Sequence, residues 1–339
     1  MTEIELSKKE TLYFVIKVEN FAYLMNSYKL CKPTVKYCIV SCLVSSFTRV
    51  IAGHHPSVIK NGKREIGILK NRNDPSIILK PKQSGGRGEC EVSVYSLLSA
   101  GRTASLRNGQ KVSSNSTTSG KNKWFDWEHA REEDIQGLAK ITAKFHGLQT
   151  LRVDGEDHEF MVLTDMTSPY TRPAILDIKV GKRTYDPLAD REKQEKEASK
   201  YPAQEIIGFR LLGYKVHRSN NQIESKDKEW GKSYDETNVE KGLYEFFSAR
   251  SAEDTKEVIS QSIVQIDRVT EWFAAQRSFH FFASSLLFVY EMDQTKLPNI
   301  SVSMIDFSHV FPAEGHPDEN YEHGLIHLRE RLQSLLSRD

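Results

Sequence analysis

The chain is poor in cysteine: four in 339 residues (Cys31, Cys38, Cys42 and Cys90), with no C-x-x-C pair. That excludes a disulfide framework and a thiolate metal knuckle of the usual spacing, and it fits a reducing compartment. Net charge is nearly absent too, at +1, so nothing draws the molecule as a whole to nucleic acid or membrane. Any anion-binding site has to be local. Long apolar runs are missing. The only sustained one, Tyr37 to Phe47, is closed off by Arg49 and falls short of the roughly 18–20 residues that span a bilayer. It also starts late, behind a charged leader, for a secretory signal. A buried strand or helix is expected there, with a membrane-anchoring segment as the alternative. No internal repeat is visible. His323 and His327 stand one turn apart but without the glutamate of H-E-x-x-H, so packing or surface histidines are expected. Gly85-Gly86-Arg87-Gly88 lacks the lysine and hydroxyl residue of a P-loop.

What is present is an ordinary globular composition, 38% hydrophobic and 27% charged. Residues 1–50 are an extension of unknown role. Between Ala52 and Lys80, short strand-like runs alternate with turns at Asn61-Gly62 and Asp74-Pro75. A helix is expected over Glu89–Ala100. The stretch 101–123, rich in Ser, Thr, Asn, Gly and Lys and free of acid, reads as a flexible insert. Helix returns from Glu128 to Ile141, and a hairpin at Asp154-Gly155 leads to a strand over Glu159–Leu163. After a polar helix (Asp190–Lys200) and a strand-like run (Gly208–His217) comes a long amphipathic helix. Its apolar positions are Ile259, Ile263, Ile266, Val269 and Phe273, with Asp254 as N-cap. Strands at Leu286–Tyr290 and Ile300–Ile305 and a closing helix through Tyr321, Leu325, Leu328, Leu332 and Leu335 complete the pattern. Strands first, then mixed helix and strand, predicts an α+β protein with a cleft between two lobes.

The chemistry concentrates in Pro173-Ala-Ile-Leu-Asp177-Ile-Lys179-Val-Gly181, followed by Tyr185-Asp186-Pro187. An apolar strand over Ala174–Leu176 ends in a carboxylate, and a lysine follows two positions on. Strand alternation puts Asp177 and Lys179 on one side of the backbone. Buried ionisable pairs need a partner or a ligand. Lys80 ends an apolar strand and Glu91 lies near the start of a helix; alone, Lys80 reads as a solvated strand end. Asp306 closes the strand Ile300–Ile305 just before Phe307-Ser308-His309; alone, it reads as a turn cap. Together they are the parts phosphoryl transfer needs: a lysine for phosphates, a carboxylate for the metal and a cleft to place the acceptor. The helix from Arg191 to Lys200 has one apolar residue, Ala198, so it cannot be a core helix. Lys193, Lys196 and Lys200 share a face. They form either a comb for a multiply phosphorylated ligand or a solvated helix held by ion pairs with Glu192, Glu195 and Glu197.

The spacing P-x-x-x-D-x-K-x-G resembles the inositol polyphosphate kinases. So do Ser284-Ser285-Leu-Leu-Phe-Val-Tyr290, Met304-Ile-Asp306-Phe-Ser-His309-Val-Phe311 and Tyr201-Pro-Ala-Gln-Glu-Ile-Ile-Gly208-Phe209. The resemblance runs from about Ala52 to the C-terminus, outside the insert. It implies a two-lobed kinase-like fold of antiparallel sheets with an ATP cleft between the lobes. The first lobe would be 51–165 with the insert 101–123, and the second 166–339 with the acceptor-binding segment at 187–208. It implies ATP and Mg2+ as cofactors and inositol polyphosphates as substrates, with a phosphoinositide headgroup as a further acceptor. A monomer without nucleic-acid contact or membrane span is expected, resident in nucleus and cytoplasm. Residue by residue, Lys80 would contact the ATP phosphates with Glu91 as partner. Thr164, Asp165 and Met166 would read adenine through the backbone, and Asp177 would bind the ribose. Lys179 would stand between the transferred phosphate and the inositol, Asp306 would hold the metal, and Ser285 would line the metal site. Arg87 and His309 would contact inositol phosphates along with Lys193, Lys196 and Lys200. Where the family typically has a pair of glutamines, this chain has Lys196 and Glu197. The short segment from Pro187 to Gly208 places the chain with the family's broad-specificity branch, since a small substrate lobe leaves an open site. A catalytically weak inositol-phosphate-binding scaffold is the alternative of another class.

Overall fold

The computed structural model describes residues 44–46, 59–60, 63–64, 66–106, 127–153, 155–218 and 222–337. Most of the apolar run before Val44 and most of the insert lie outside them. In chain order come β1 (Val44–Ser46), β2 (Ile59–Lys60), β3 (Lys63–Arg64), β4 (Leu69–Asn71), β5 (Ile77–Pro81), α1 (Gly86–Leu106), α2 (Glu132–Lys140), β6 (Phe145–Val153) and β7 (Glu156–Thr164). There follow β8 (Pro173–Val180), α3 (Arg191–Ser199), α4 (Gln204–Ile207), β9 (Phe209–His217), β10 (Ile223–Lys226), α5 (Lys228–Lys232), α6 (Val239–Phe247), α7 (Ala252–Ala275), β11 (Phe279–Phe281), β12 (Ser285–Glu291), β13 (Ile300–Ile305), β14 (Val310–Pro312) and α8 (Glu319–Leu336).

Two five-stranded sheets organise the fold, in the orders β1-β4-β5-β7-β6 and β10-β9-β8-β12-β13, with every pairing antiparallel. The α+β expectation holds. β8 is the central strand of the second sheet, and Lys179 is its only residue that is not buried. Such two-sided burial is why the strand reads as a continuous apolar run rather than an alternation. One face of this sheet packs on the helices through aromatic rings. Phe246 meets Tyr214 and Tyr290, and Phe247 meets Phe288. Phe273 of α7 stacks on Tyr321 of α8 with centroids 4.5 Å apart. Burying each such ring contributes about 2–3 kcal/mol. The other face carries Asp177, Lys179 and Ser285 toward the first sheet. Side chains from α1 and α2 enter the main core with those of the second sheet, among them Val94, Tyr95, Leu98 and Leu138. Backbone bonding adds to this contact, since Met304 N–H donates to Ile141 O at 2.8 Å.

Several expected boundaries move, each for a local reason. Asp177 lies inside β8, not at its end, because pairing with β12 and β9 continues through Lys179. Helix α1 begins at Gly86 and runs to Leu106, into the expected insert, while α2 begins only at Glu132. The cap of α7 is Ser251, whose hydroxyl accepts the Asp254 N–H at 3.1 Å; Asp254 sits in the first turn. The apolar face of α7 is as expected.

One close approach fixes how α8 meets the second sheet. A Cβ on Gly324 would lie 2.2 Å from the Gly208 carbonyl oxygen, and Gly208 itself has φ +78°. That carbonyl accepts the Gly181 N–H just past β8, at 2.7 Å. Gly324→Ala is therefore expected to destabilise the protein by about 1–3 kcal/mol through overpacking. A melting temperature equal to that of the unsubstituted protein would show that the helix can move aside at no cost.

Candidate active site

The site forms where β5, the middle strand of the first sheet, meets the face of the second that carries Asp177 and Lys179. Lys80, on β5, has its side chain 15% exposed. Its ammonium donates to Glu91 Oε1 at 2.6 Å and to Asp306 Oδ1 at 2.5 Å. Glu91 is fully buried on α1 and is further held by the Phe307 N–H at 3.3 Å and the Ser308 hydroxyl at 3.4 Å. Burial alone would depress the Lys80 ammonium, but Asp306 and Glu91 outweigh it and hold it well above its ordinary value. Asp306 follows β13 in the left-handed region, φ +66°, a conformation aspartate tolerates better than most residues. Its carbonyl accepts the Ser284 hydroxyl at 2.8 Å, and its side chain remains 43% exposed to the cleft.

Asp177 and Lys179 stand on the same face of β8, and Ser285 on β12 is the direct partner of both Lys179 and Ile305. Asp177 is buried, and its Oδ1 has no hydrogen-bond partner among the described residues; the same is true of Ser285 Oγ. Burial first, and then the nearby Asp306 carboxylate, raise the Asp177 carboxyl to about 7. Ser285, Lys179 and Lys80 pull the other way, although Ser285 is too poorly placed to make a true hydrogen bond. The Lys179 ammonium is pushed down by burial against the pull of Asp306.

The expected linker is anchored at both ends. Thr164 N–H donates to Lys144 O at 2.9 Å and Asp165 N–H to Ser76 O at 2.6 Å. The buried Asp165 side chain takes Lys70 at 3.2 Å and the Thr167 N–H at 2.8 Å. Met166 packs on the main core. On the far side of the cleft, His309 Nδ1 lies 2.8 Å from Asp186 Oδ2, and Lys193 donates to the same oxygen at 3.2 Å. Burial lowers the His309 imidazole, Asp186 opposes this, and Arg87 adds to it, which puts Arg87 in the same electrostatic neighbourhood. Arg87 lies in the first turn of α1, after a turn in which Gly85 has φ +68°, and a Cβ on Gly88 would fall 1.9 Å from Gln83 O. The glycines let the chain bend beside the site.

The lysine comb is not uniform. Lys193 and Glu197, one turn apart, are the half-buried charges of α3; Lys193 is committed to Asp186, and Lys200 to Glu197 at 2.5 Å, while Lys196 is exposed. Two residues of the site had no role in the sequence reading. Asp186 orders His309 and Lys193, and the signal was its place in Tyr185-Asp186-Pro187. Arg210 is the direct partner of Lys179 across β8 and β9, which only the register reveals.

A lysine shared between a helix glutamate and an exposed aspartate, near a sheet carrying an aspartate and a lysine, supplies the residue types that phosphoryl transfer needs. The Inositol polyphosphate kinase family profile matches residues 160–333, half of the chain, and the chain belongs to that family. It is 30% identical over 242 residues to the inositol polyphosphate multikinase of Homo sapiens, covering 71% of this chain and 50% of that protein. It is 29% identical to the one of Mus musculus, covering 76% and 56%. With inositol polyphosphate multikinase alpha of Arabidopsis thaliana it shares 28% identity, over 84% of this chain and 94% of the relative. The chain thus spans about half the length of the mammalian relatives. Among solved structures, an inositol phosphate multikinase from S. cerevisiae in complex with ADP and Mn2+ superposes with a TM-score of 0.52 at 22% identity, covering 59% of this chain and 91% of that one. Another multikinase structure gives 0.51 at 25% identity, covering 58% and 91%.

The Asp177 environment makes a pH-dependent prediction. Its folded carboxyl titrates near 7 against 3.8 unfolded, so the folded state binds the proton more tightly. Stability then falls as pH rises through that window, by up to about 1.4 kcal/mol per unit. Asp177→Asn should melt above the unsubstituted protein at pH 8 and converge with it toward pH 5. An equal gap at both pH values would rule out a buried charge as the cause.

Proposed function

We propose that the chain is an ATP- and magnesium-dependent inositol polyphosphate kinase of the multikinase type. It would transfer the γ-phosphoryl group to hydroxyls of inositol tris- and tetrakisphosphates, giving tetrakis- and pentakisphosphates. The observation that carries this is the Lys80–Glu91–Asp306 ion cluster facing Asp177 and Lys179 across one cleft. The multikinase names of the relatives and the ADP and Mn2+ of the structural neighbour support the reading.

Lys80 would hold the ATP phosphates once they displace Asp306 from its ammonium. With the Thr164 and Asp165 N–H groups given to Lys144 and Ser76, backbone recognition of adenine by Thr164, Asp165 and Met166 would use their carbonyls and the Met166 N–H. Asp177 would take the ribose hydroxyls through the oxygen that now has no partner. The residues fit a divalent ion: two carboxylates, buried Asp177 and half-exposed Asp306, repel each other. Among the described residues no third acidic or histidine ligand joins them. That suits a hard cation that takes its other ligands from nucleotide and water. Asp306 would hold it, with Ser285 beside the site, and when bound it supplies charge neutralisation at the phosphate oxygens. Lys179, whose ammonium is shed more readily than usual, would sit at the transferred phosphate. Arg87, His309, Lys193 and Lys200 would contact the phosphates of the ring; exposed Lys196 would add charge at the rim. The division into lobes at 51–165 and 166–339, residence in nucleus and cytoplasm, a monomeric state and use of a phosphoinositide headgroup rest on the family resemblance. No described helix is long and apolar enough to cross a membrane.

The test is magnesium-dependent ATP consumption with inositol trisphosphate, followed by analysis of the phosphates added. Turnover to tetrakis- and pentakisphosphate is expected. A single added phosphate would favour a trisphosphate 3-kinase, a pyrophosphate product a hexakisphosphate kinase, and binding without turnover a scaffold. Asp306→Asn should abolish turnover with the fold intact. Lys179→Ala should lower kcat by at least about 100-fold, since its contact strengthens in the transition state, and change ATP affinity little. Lost ATP affinity with turnover retained would move Lys179 to the nucleotide site.

A further inference from the structure

Lys179 has a second cation beside it. Arg210 is its direct partner in the antiparallel β8–β9 pair, so both side chains leave the sheet on the same face. Arg210 lies over the Tyr201 ring, 5.8 Å from guanidinium carbon to centroid, and that ring is fixed by its hydroxyl, which donates to Tyr234 O at 2.8 Å. The Arg210 Nε is wholly buried and has no hydrogen-bond acceptor among the described residues. Buried guanidinium nitrogens are normally satisfied, so an unmet one on a site face points to an anion supplied from outside.

Glu197 of α3 lies within electrostatic reach of both members of this pair. It is half-buried, paired with Lys200 at 2.5 Å, and its carboxylate is stabilised against burial by Lys200 and then by Lys179 and Arg210. The charges around the group are Lys179, Arg210, Asp177 and Asp306 from the second sheet and its edge, Glu197 and Lys200 from the acceptor segment, and Glu229 of α5 beside Arg210. A cavity of about 1070 Å³, lined by Glu197, Tyr201, Lys182 and Arg183 among others but by neither Lys179 nor Arg210, gives a ring ligand room on the Glu197 side.

We propose that Lys179 and Arg210 form one phosphate seat for the acceptor ring, and that Glu197 limits the charge the seat accepts. The planar guanidinium suits a phosphate oxygen pair. The Glu197 carboxylate accepts a hydrogen bond from a free ring hydroxyl but repels a second phosphate at that place. The acceptor is thereby selected for a phosphate next to an unmodified hydroxyl. This rests on the inositol-phosphate reading given above.

The test uses Arg210→Gln and Glu197→Gln in the full chain, with calorimetric binding of ADP, inositol trisphosphate and inositol pentakisphosphate. Arg210→Gln should weaken both inositol phosphates by about 10-fold or more, the loss of one charge-assisted contact, while ADP affinity stays within about twofold. Glu197→Gln should tighten the pentakisphosphate by at least about fivefold more than the trisphosphate, since only the former presents a phosphate to the carboxylate. Unchanged trisphosphate affinity in Arg210→Gln would reduce Arg210 to a stacking residue and overturn the seat. An equal effect of Glu197→Gln on both ligands would overturn the charge limit. Should Arg210→Gln fail to fold, Glu197→Gln decides, because α3 buries no residue. If the unsubstituted protein binds ADP but neither inositol phosphate, the functional reading falls and this inference with it. Binding that the substitutions leave untouched overturns this inference alone.

Discussion

The Lys80 ammonium, shared by Glu91 and Asp306, is the interaction on which the site depends. Its three members come from a strand of the first sheet, the helix that follows it, and the turn after β13, 226 positions further on. No short stretch of chain could hold them together. A buried carboxylate such as Glu91 is costly unless fully paired, and here it gathers the lysine, the Phe307 N–H and the Ser308 hydroxyl. That pairing sets the turn carrying Asp306 against the first lobe. It also leaves Asp306 facing the cleft, where its charge acts on Asp177.

The second sheet supplies the other half. An antiparallel register converts sequence positions far apart into neighbours on one face. Ser285, Lys179 and Arg210 form a row across β12, β8 and β9, with Asp177 one step along β8. The helices packed on the opposite face make this floor rigid, through rings that no solvent reaches. Function and stability oppose each other here. Asp177 is held in a place that disfavours its charge, the kind of strain expected where a ligand is to supply the missing partners.

Much of this was legible beforehand, and the limits have physical causes. Strand and helix types followed from periodicity, and the motifs P-x-x-x-D-x-K-x-G and Met304–Phe311 were local enough to be read directly. Asp177 was taken for a strand end because an apolar run followed by a charge looks like an exit; only pairing on both sides shows that β8 continues. By sequence Asp254 reads as the N-cap, where the structure uses Ser251, because either residue suits that position and the choice depends on one turn of backbone. Arg210 was invisible as a site residue, since its significance lies wholly in facing Lys179. The three lysines of α3 share a face by spacing, but which way the helix rolls is a tertiary matter. The structure turns Lys193 and Glu197 inward and leaves Lys196 exposed.

The central claim is that Asp306 leaves Lys80 to serve a nucleotide-bound cation. It is tested most directly by calorimetric affinity for ADP with and without magnesium. The account predicts that magnesium tightens ADP binding by about 10-fold or more, because it balances the Asp306 charge that Lys80 gives up to the phosphates. Equal ADP affinity in the presence and absence of magnesium would contradict it.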